Sequence, residues 1–215
     1  MKHKIIIPIS ISLLSCWLWY ILGHSLIIGI LVTILSLTFY NKKIYISYLL
    51  LFLISALIFR QVYDKNIFLT SILENDGLEK EEVFFSKDFG KLYKNRIGIY
   101  LHKSVGLPIF KLQKNLFYNL DPNQYFFAGH PRERANAVEF EKFSFIFLPF
   151  FIIGLYFLVS EPIISIIFFV MVTTFMSVFV NPGYILGPVL FFPILVYLIS
   201  LGLEKTILWL KNIYR

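Results

Sequence analysis

Cross-links are the first thing this sequence goes without. It has one cysteine, Cys16, which rules out an intrachain disulfide and a cysteine-based zinc cluster. Its four histidines, His3, His24, His102 and His130, show none of the short spacings that bring imidazoles to one metal ion. No metal and no cofactor is expected. Charge is scarce as well: 15% of the residues are charged, against about 25% in soluble domains. Outside residues 61–142 the only acidic residues are Glu161 and Glu204. The chain also lacks a glycine-rich phosphate loop, a Gly-x-Ser-x-Gly nucleophile turn and a His-Glu-x-x-His zinc helix.

Apolar surface fills the chain instead. The hydrophobic fraction is 58%, with 24 Phe and 13 Tyr, where soluble domains have roughly 45–50% apolar residues. A soluble domain of 215 residues could not hide that much apolar surface, whereas lipid accepts it. The fold class expected is therefore an all-α polytopic membrane protein. It has about six transmembrane helices in a 3+3 arrangement, with a central, mainly helical extramembrane domain between the third and fourth. The regions are 1–60, a three-helix membrane region; 61–142, a polar extracytoplasmic domain; 143–203, a second three-helix region; and 204–215, an interfacial tail.

The spans follow from length. The apolar run 5–40 would be about 54 Å long as one helix at roughly 1.5 Å per residue, and the hydrocarbon core is about 30 Å thick. Two spans, 5–22 and 26–40, are expected, turning at Gly23-His24-Ser25, with Pro8 in the first turn of the first. Asn41-Lys42-Lys43 leads to a third span, 44–59. The second half reads as spans 143–159, 163–180 and 184–203, separated by Ser160-Glu161-Pro162 and Asn181-Pro182-Gly183. Pro149, Pro188 and Pro193 are expected to kink their helices. Gly183 and Gly187 have the spacing of a close helix contact. Leu13-Leu14-Ser15-Cys16 is similar to a lipoprotein processing box. Because Trp17–Leu22 keeps the run apolar, the reading adopted is a Cys16 packed inside a helix.

The net charge of +7 does not make a nucleic-acid patch. Residues 61–142 hold 12 Lys and Arg against 11 Asp and Glu, a net of +1. The remaining excess sits at the ends of apolar runs: Lys2, Lys4, Lys42, Lys43, Arg60, Lys205, Lys211 and Arg215. Basic residues there set topology and meet anionic headgroups. With a cytoplasmic N-terminus, the short outer turns 23–25 and 181–183 carry no Lys or Arg. The expected placement is the cell membrane, multi-pass, with both termini cytoplasmic and the polar domain outside.

Within the polar domain, Leu107-Pro108 opens a helix in which Ile109, Leu112, Leu116 and Phe117 form an apolar stripe beside Lys111 and Lys114. Such a stripe suits a membrane surface or a small core equally. Asp121-Pro122 ends it. The sharpest polar group is Gly129-His130-Pro131-Arg132-Glu133-Arg134. In extended chain Arg132 and Arg134 share a face, and two guanidinium forks suit phosphate or carboxylate. Gly129 would allow close approach of a ligand, and an imidazole such as that of His130 is the side-chain type that can give or take a proton near neutral pH. His130, Glu133 and Asp121 are the candidate proton-handling residues; Arg132, Arg134, His130 and Gly129 are the candidate anion or headgroup site.

Three functions compete. The first is a non-catalytic envelope scaffold or accessory protein whose partners are the lipid bilayer, anionic headgroups or another membrane protein. The second is an outer-leaflet enzyme acting on a lipid-linked or phosphorylated substrate. The third is a small transporter, disfavoured because the apolar runs contain no interior ionisable residue.

Overall fold

The computed structural model describes residues 2–64, 106–127, 141–158, 163–180, 186 and 188–213. Every regular element among them is a helix. In chain order these are α1 (Lys2–Leu14), α2 (Cys16–His24), α3 (Leu26–Tyr40), α4 (Ile44–Asp64), α5 (Leu107–Leu120) and the single turn α6 (Asn123–Phe126). A 3-10 turn (Phe145–Phe147) then leads into α7 (Leu148–Leu158), followed by α8 (Ile163–Val178), and a second 3-10 turn (Pro188–Phe191) leads into α9 (Phe192–Ile213).

The axis of the molecule is α9. Its residues are buried without interruption from Phe192 to Gly202. A helix buried on every side must be apolar on every side, and this stretch reads Phe-Pro-Ile-Leu-Val-Tyr-Leu-Ile-Ser-Leu-Gly. α7 runs parallel to it. Phe143, just before α7, lies 5.5 Å from the Phe192 ring, and the Lys205 ammonium lies 5.3 Å from the Phe157 ring. Between these points the backbones touch. A methyl group on Gly154 would strike the Leu198 carbonyl, and one on Gly202 would strike that of Phe150. Glycine at both positions is what lets the helices approach this closely.

Aromatic contacts orient the other helices. Phe39 of α3 meets Tyr197 at 5.1 Å and stacks on Phe169 of α8 at 4.1 Å. Tyr48 of α4 lies 5.5 Å from Phe169. At the end of α3 the Tyr40 hydroxyl donates to Glu204 Oε2 at 2.8 Å. One end of the bundle therefore carries Ser15, Trp17, Phe143 and Phe192, and the other carries Tyr40, the 41–43 turn and Glu204. Helix direction alternates between these ends through α1, α3 and α4, and again through α7, α8 and α9.

The first apolar run divides differently from expectation. It breaks at Ser25 but also at Ser15, where the two parts bend by 72°. Pro8 is interior to α1, which begins at Lys2. Cys16 is exposed at the start of α2, so it is not packed inside a helix. The other prolines do not kink their helices. Pro149 and Pro193 are each the second residue of a helix and Pro188 opens a 3-10 turn, positions where a missing N–H is harmless.

Six full-length spans are likewise more than the helices provide. Two are long and apolar enough to cross a membrane, 44–61 and 188–213, or three if the bent pair α1–α2 counts as one. α3, α7 and α8 have 15, 11 and 16 residues, or about 22, 17 and 24 Å, against a hydrocarbon core of about 30 Å. Gly183 and Gly187, expected to pack helices, lie outside the described residues; the close contact observed is made by Gly154 and Gly202.

Candidate functional site

The sequence places its strongest polar motif in residues 129–134. Gly129, His130, Arg132, Glu133 and Arg134 all lie outside the described residues. Asp121 is described, and it serves its own turn: its carboxylate accepts from the Asn123 backbone N–H at 2.9 Å, opening α6. It is exposed.

What the structure does assemble is a polar junction at the end of the bundle where residues 106–127 and 141–144 meet the apolar helices. It begins at the break in the first helix. Ser15 is extended, with φ −76° and ψ 123°. A helix end leaves backbone groups without intrahelical partners; here the Leu13 carbonyl and the Trp17 N–H both find partners, and the Ser15 hydroxyl adds a third bond at the break. Trp19 Nε1 donates to the Leu13 carbonyl at 2.8 Å. The Lys142 carbonyl accepts from Ser15 Oγ at 2.8 Å. The same carbonyl accepts from the Trp17 backbone N–H at 3.2 Å.

Lys142 also works through its side chain. Its Nζ donates to the Gln124 carbonyl at 3.1 Å and to Gln124 Oε1 at 3.3 Å. The same ammonium lies 5.1 Å from the Tyr125 ring centre and 5.4 Å from that of Trp17. Oxygen dipoles and ring faces together suit a cation withdrawn from water. Next along, the Phe143 N–H donates to the Tyr125 carbonyl at 2.8 Å. Trp17, Tyr125, Phe126, Phe143 and Phe192 form one buried aromatic cluster around these bonds.

The second half of the junction joins α5 to α8. Asn115 Nδ2 donates to the Val178 carbonyl at 2.8 Å, and Asn119 Nδ2 to the Ser177 carbonyl at 3.3 Å. Two asparagines one turn apart thus cap the open end of α8. The Tyr125 hydroxyl donates to the Asn119 carbonyl at 2.7 Å, and Gln124 Nε2 donates to the Tyr118 carbonyl. Burial, and secondarily the Asp121 carboxylate, push the Tyr125 phenol well above its ordinary range, so it remains a donor. Among the described residues, five buried side-chain polar atoms have no hydrogen-bond partner: Trp17 Nε1, Asn115 Oδ1, Asn119 Oδ1, Thr173 Oγ1 and Ser200 Oγ.

Sequence reasoning missed this junction. Asn115 and Asn119, spaced i, i+4 on an amphipathic helix, were the available signal. Lys142, the last charge before an apolar run, reads from sequence as a solvated or headgroup-facing residue. Known proteins add no analogy for the arrangement: no family model, no curated protein and no solved structure matches this chain.

Proposed function

We propose that this chain is an integral membrane protein of the cell envelope with six membrane-embedded apolar segments, acting without catalysis as a scaffold or accessory subunit. Its polar side, residues 61–142, contacts a partner or anionic headgroups, and Arg132 and Arg134 with His130 and Gly129 supply the anion contacts. The observation that carries the membrane reading is the inside-out character of the bundle. α9 is apolar and buried, yet the helices around it are also apolar on the outside. Ile164, Met171 and Phe175 of α8 and Leu49 and Phe52 of α4 are all exposed. Water would penalise such a surface by roughly 25 cal/mol per Å²; acyl chains would not.

The lengths fit a bilayer with local adjustment. From Phe192 to Glu204 is about 18 Å of helix, and exposed Ile207, Leu208, Trp209 and Leu210 continue the apolar length of α9 beyond Glu204. Short helices are accommodated by thinning of the bilayer and by snorkelling lysines. The bent α2 belongs at the boundary beside the junction, with Trp19 and Tyr20 at headgroup level. The orientation is supported by the basic residues. The start of α1, the 41–43 turn and the end of α9 gather at the Glu204 end, opposite the polar segment, as cytoplasmic residues should.

The test is labelling of single cysteines from outside the cell in a Cys16→Ser background. Asp76→Cys should react with an impermeant reagent and Lys42→Cys should not. The reverse pattern overturns the orientation, and equal reaction at both positions overturns the number of crossings.

A further inference from the structure

We infer that α5 is a membrane-surface helix whose stripe of Ile109, Leu116, Phe117 and Leu120 sits in the headgroup–acyl boundary at the polar end of the bundle. The inference rests on the membrane reading above and adds the partner of this helix, which is the lipid boundary itself.

The burial pattern of α5 is the reverse of that of a helix packed on a soluble core. Asn115 and Asn119 are completely buried, whereas Ile109 is 56% exposed, Phe117 63% and Leu120 49%. At about 100° per residue, Ile109, Leu116 and Leu120 fall within roughly 40° of one another and Phe117 borders them. Gln113 falls in the same sector and is exposed too. Lys111 and Lys114 occupy register positions roughly 140–200° round from Ile109. An amphipathic helix that turns large apolar side chains outward while its two asparagines face the protein is matched to an apolar medium on that side.

Three observations make that medium the membrane boundary. Asn115 and Asn119 hold α5 against the last turn of α8, so α5 sits at the end of an apolar helix, the depth of the headgroups. The apolar exposure is also continuous with its neighbours. Phe127, Phe145 and Ile146 are exposed, and Phe143 is tied to Tyr125, just after α5, by a backbone hydrogen bond. Finally, the exposed outer residues of α8, Phe168, Met171 and Phe175, lead along the same helix to the turn that α5 caps. The two asparagine bonds set the roll of α5 about its axis and so aim the stripe.

The experiment is site-directed spin labelling of the full chain in vesicles of phosphatidylcholine and phosphatidylglycerol. Single cysteines replace Ile109, Phe117 and Leu120 in the Cys16→Ser background, with Phe175→Cys on α8 and Asn123→Cys on α6 as references. Relaxation by oxygen is compared with relaxation by a water-soluble nickel chelate. Oxygen should dominate severalfold at 109, 117 and 120, at a depth of about 5–10 Å below the phosphates. The chelate should dominate at 123, and 175 should lie deeper than 117. Chelate access at 109, 117 and 120 equal to that at 123, with 175 still protected, overturns the inference and leaves the membrane reading standing. Chelate access at 175 as well sinks the membrane reading. Dipolar broadening at 117 that disappears on dilution with unlabelled protein overturns the lipid assignment in favour of a second copy.

Discussion

Ser15 and Lys142 are 127 residues apart in sequence, and the Ser15 hydroxyl donates to the Lys142 carbonyl at 2.8 Å. That carbonyl also takes the Trp17 N–H, so one peptide oxygen shortly before α7 holds the 72° bend between α1 and α2. Replacing Ser15 by alanine should remove one of the two bonds and cost about 0.5–1.5 kcal/mol. Unfolding of the purified protein by SDS titration, followed by circular dichroism, measures it. A variant as stable as wild type would mean that the hydroxyl does not hold the bend.

Glycine positions give a sharper contrast. Alanine at Gly154 or Gly202 places a methyl group against a backbone carbonyl of the facing helix, which no side-chain rotation relieves. Each substitution should cost at least the 1–3 kcal/mol typical of overpacking. Gly23, within α2, has nothing within 4 Å of its would-be Cβ. Gly23→Ala should instead stabilise by about 0.5–1 kcal/mol through helix propensity. The same titration ranks all three, and equal effects would refute the close crossing of α7 and α9.

These two relationships mark how far the sequence could be read. Helix content, the apolar segments and the turns near Ser25 and 41–43 follow from hydropathy and lysine placement. The helix start at Leu107-Pro108 follows from proline's tolerance at a first turn. The Ser15 break does not follow, because serine is common inside apolar helices and only a distant carbonyl makes an extended residue there affordable. Proline misled in the opposite direction: Pro149 and Pro193 look interior to long apolar runs, yet those runs begin with 3-10 turns that shift each proline to a helix start. The Gly154–Gly202 contact was not legible, because it uses one glycine from each of two distant helices and no spacing within one segment signals it; Gly183 and Gly187 lie outside the described residues.

Tyr125 gives a pH signature. Its phenol is buried and donates to Asn119, and its pKa lies well above the ordinary 10.0, through desolvation first and the Asp121 carboxylate second. The sign follows directly. Below pH 10 the phenol is protonated in both folded and unfolded chains and its contribution is fully present. As pH rises past 10 the unfolded chain ionises first, so stability falls until the folded pKa is passed. Tyr125→Phe should lose about 0.5–1.5 kcal/mol at neutral pH with the hydrogen bond and show a shallower decline above pH 10. Parallel declines in the two proteins would show that Tyr125 is not the group responsible.

Arg132 and Arg134 are proposed to bind an anionic group at the outer surface. Lysine keeps the charge but not the two-point geometry of a guanidinium fork. The double variant Arg132→Lys, Arg134→Lys should therefore weaken binding to phosphatidylglycerol vesicles, whereas Lys87→Ala with Lys91→Ala should change it little. If the arginines made only exposed ion pairs, worth about 0–1 kcal/mol, the lysine variant would bind like wild type. That result would end the specific-site proposal.

The turn between α3 and α4 couples local strain to topology. Lys42 has φ 58°, the left-handed conformation that a side chain makes costly by roughly 1–2 kcal/mol. The turn needs it, because Lys43 N–H reaches back to the Thr38 carbonyl at 2.9 Å and Lys42 N–H to that of Phe39 at 3.0 Å. This pair of bonds closes a helix around a left-handed residue, a place where glycine is usual. In the proposed orientation a lysine there has a reason, since a basic residue in a short loop would retain that loop in the cytoplasm. Lys42→Gly should accordingly raise stability by about 1 kcal/mol, and Lys42→Val should lower it, because a β-branched residue adopts positive φ poorly. Lys43 remains beside it, so the impermeant-label pattern at Asp76→Cys should be unchanged in the Lys42→Gly background. A Lys42→Gly protein less stable than wild type would show that the lysine's own contacts outweigh the strain. Loss of labelling at position 76 would show that Lys42 sets the orientation on its own.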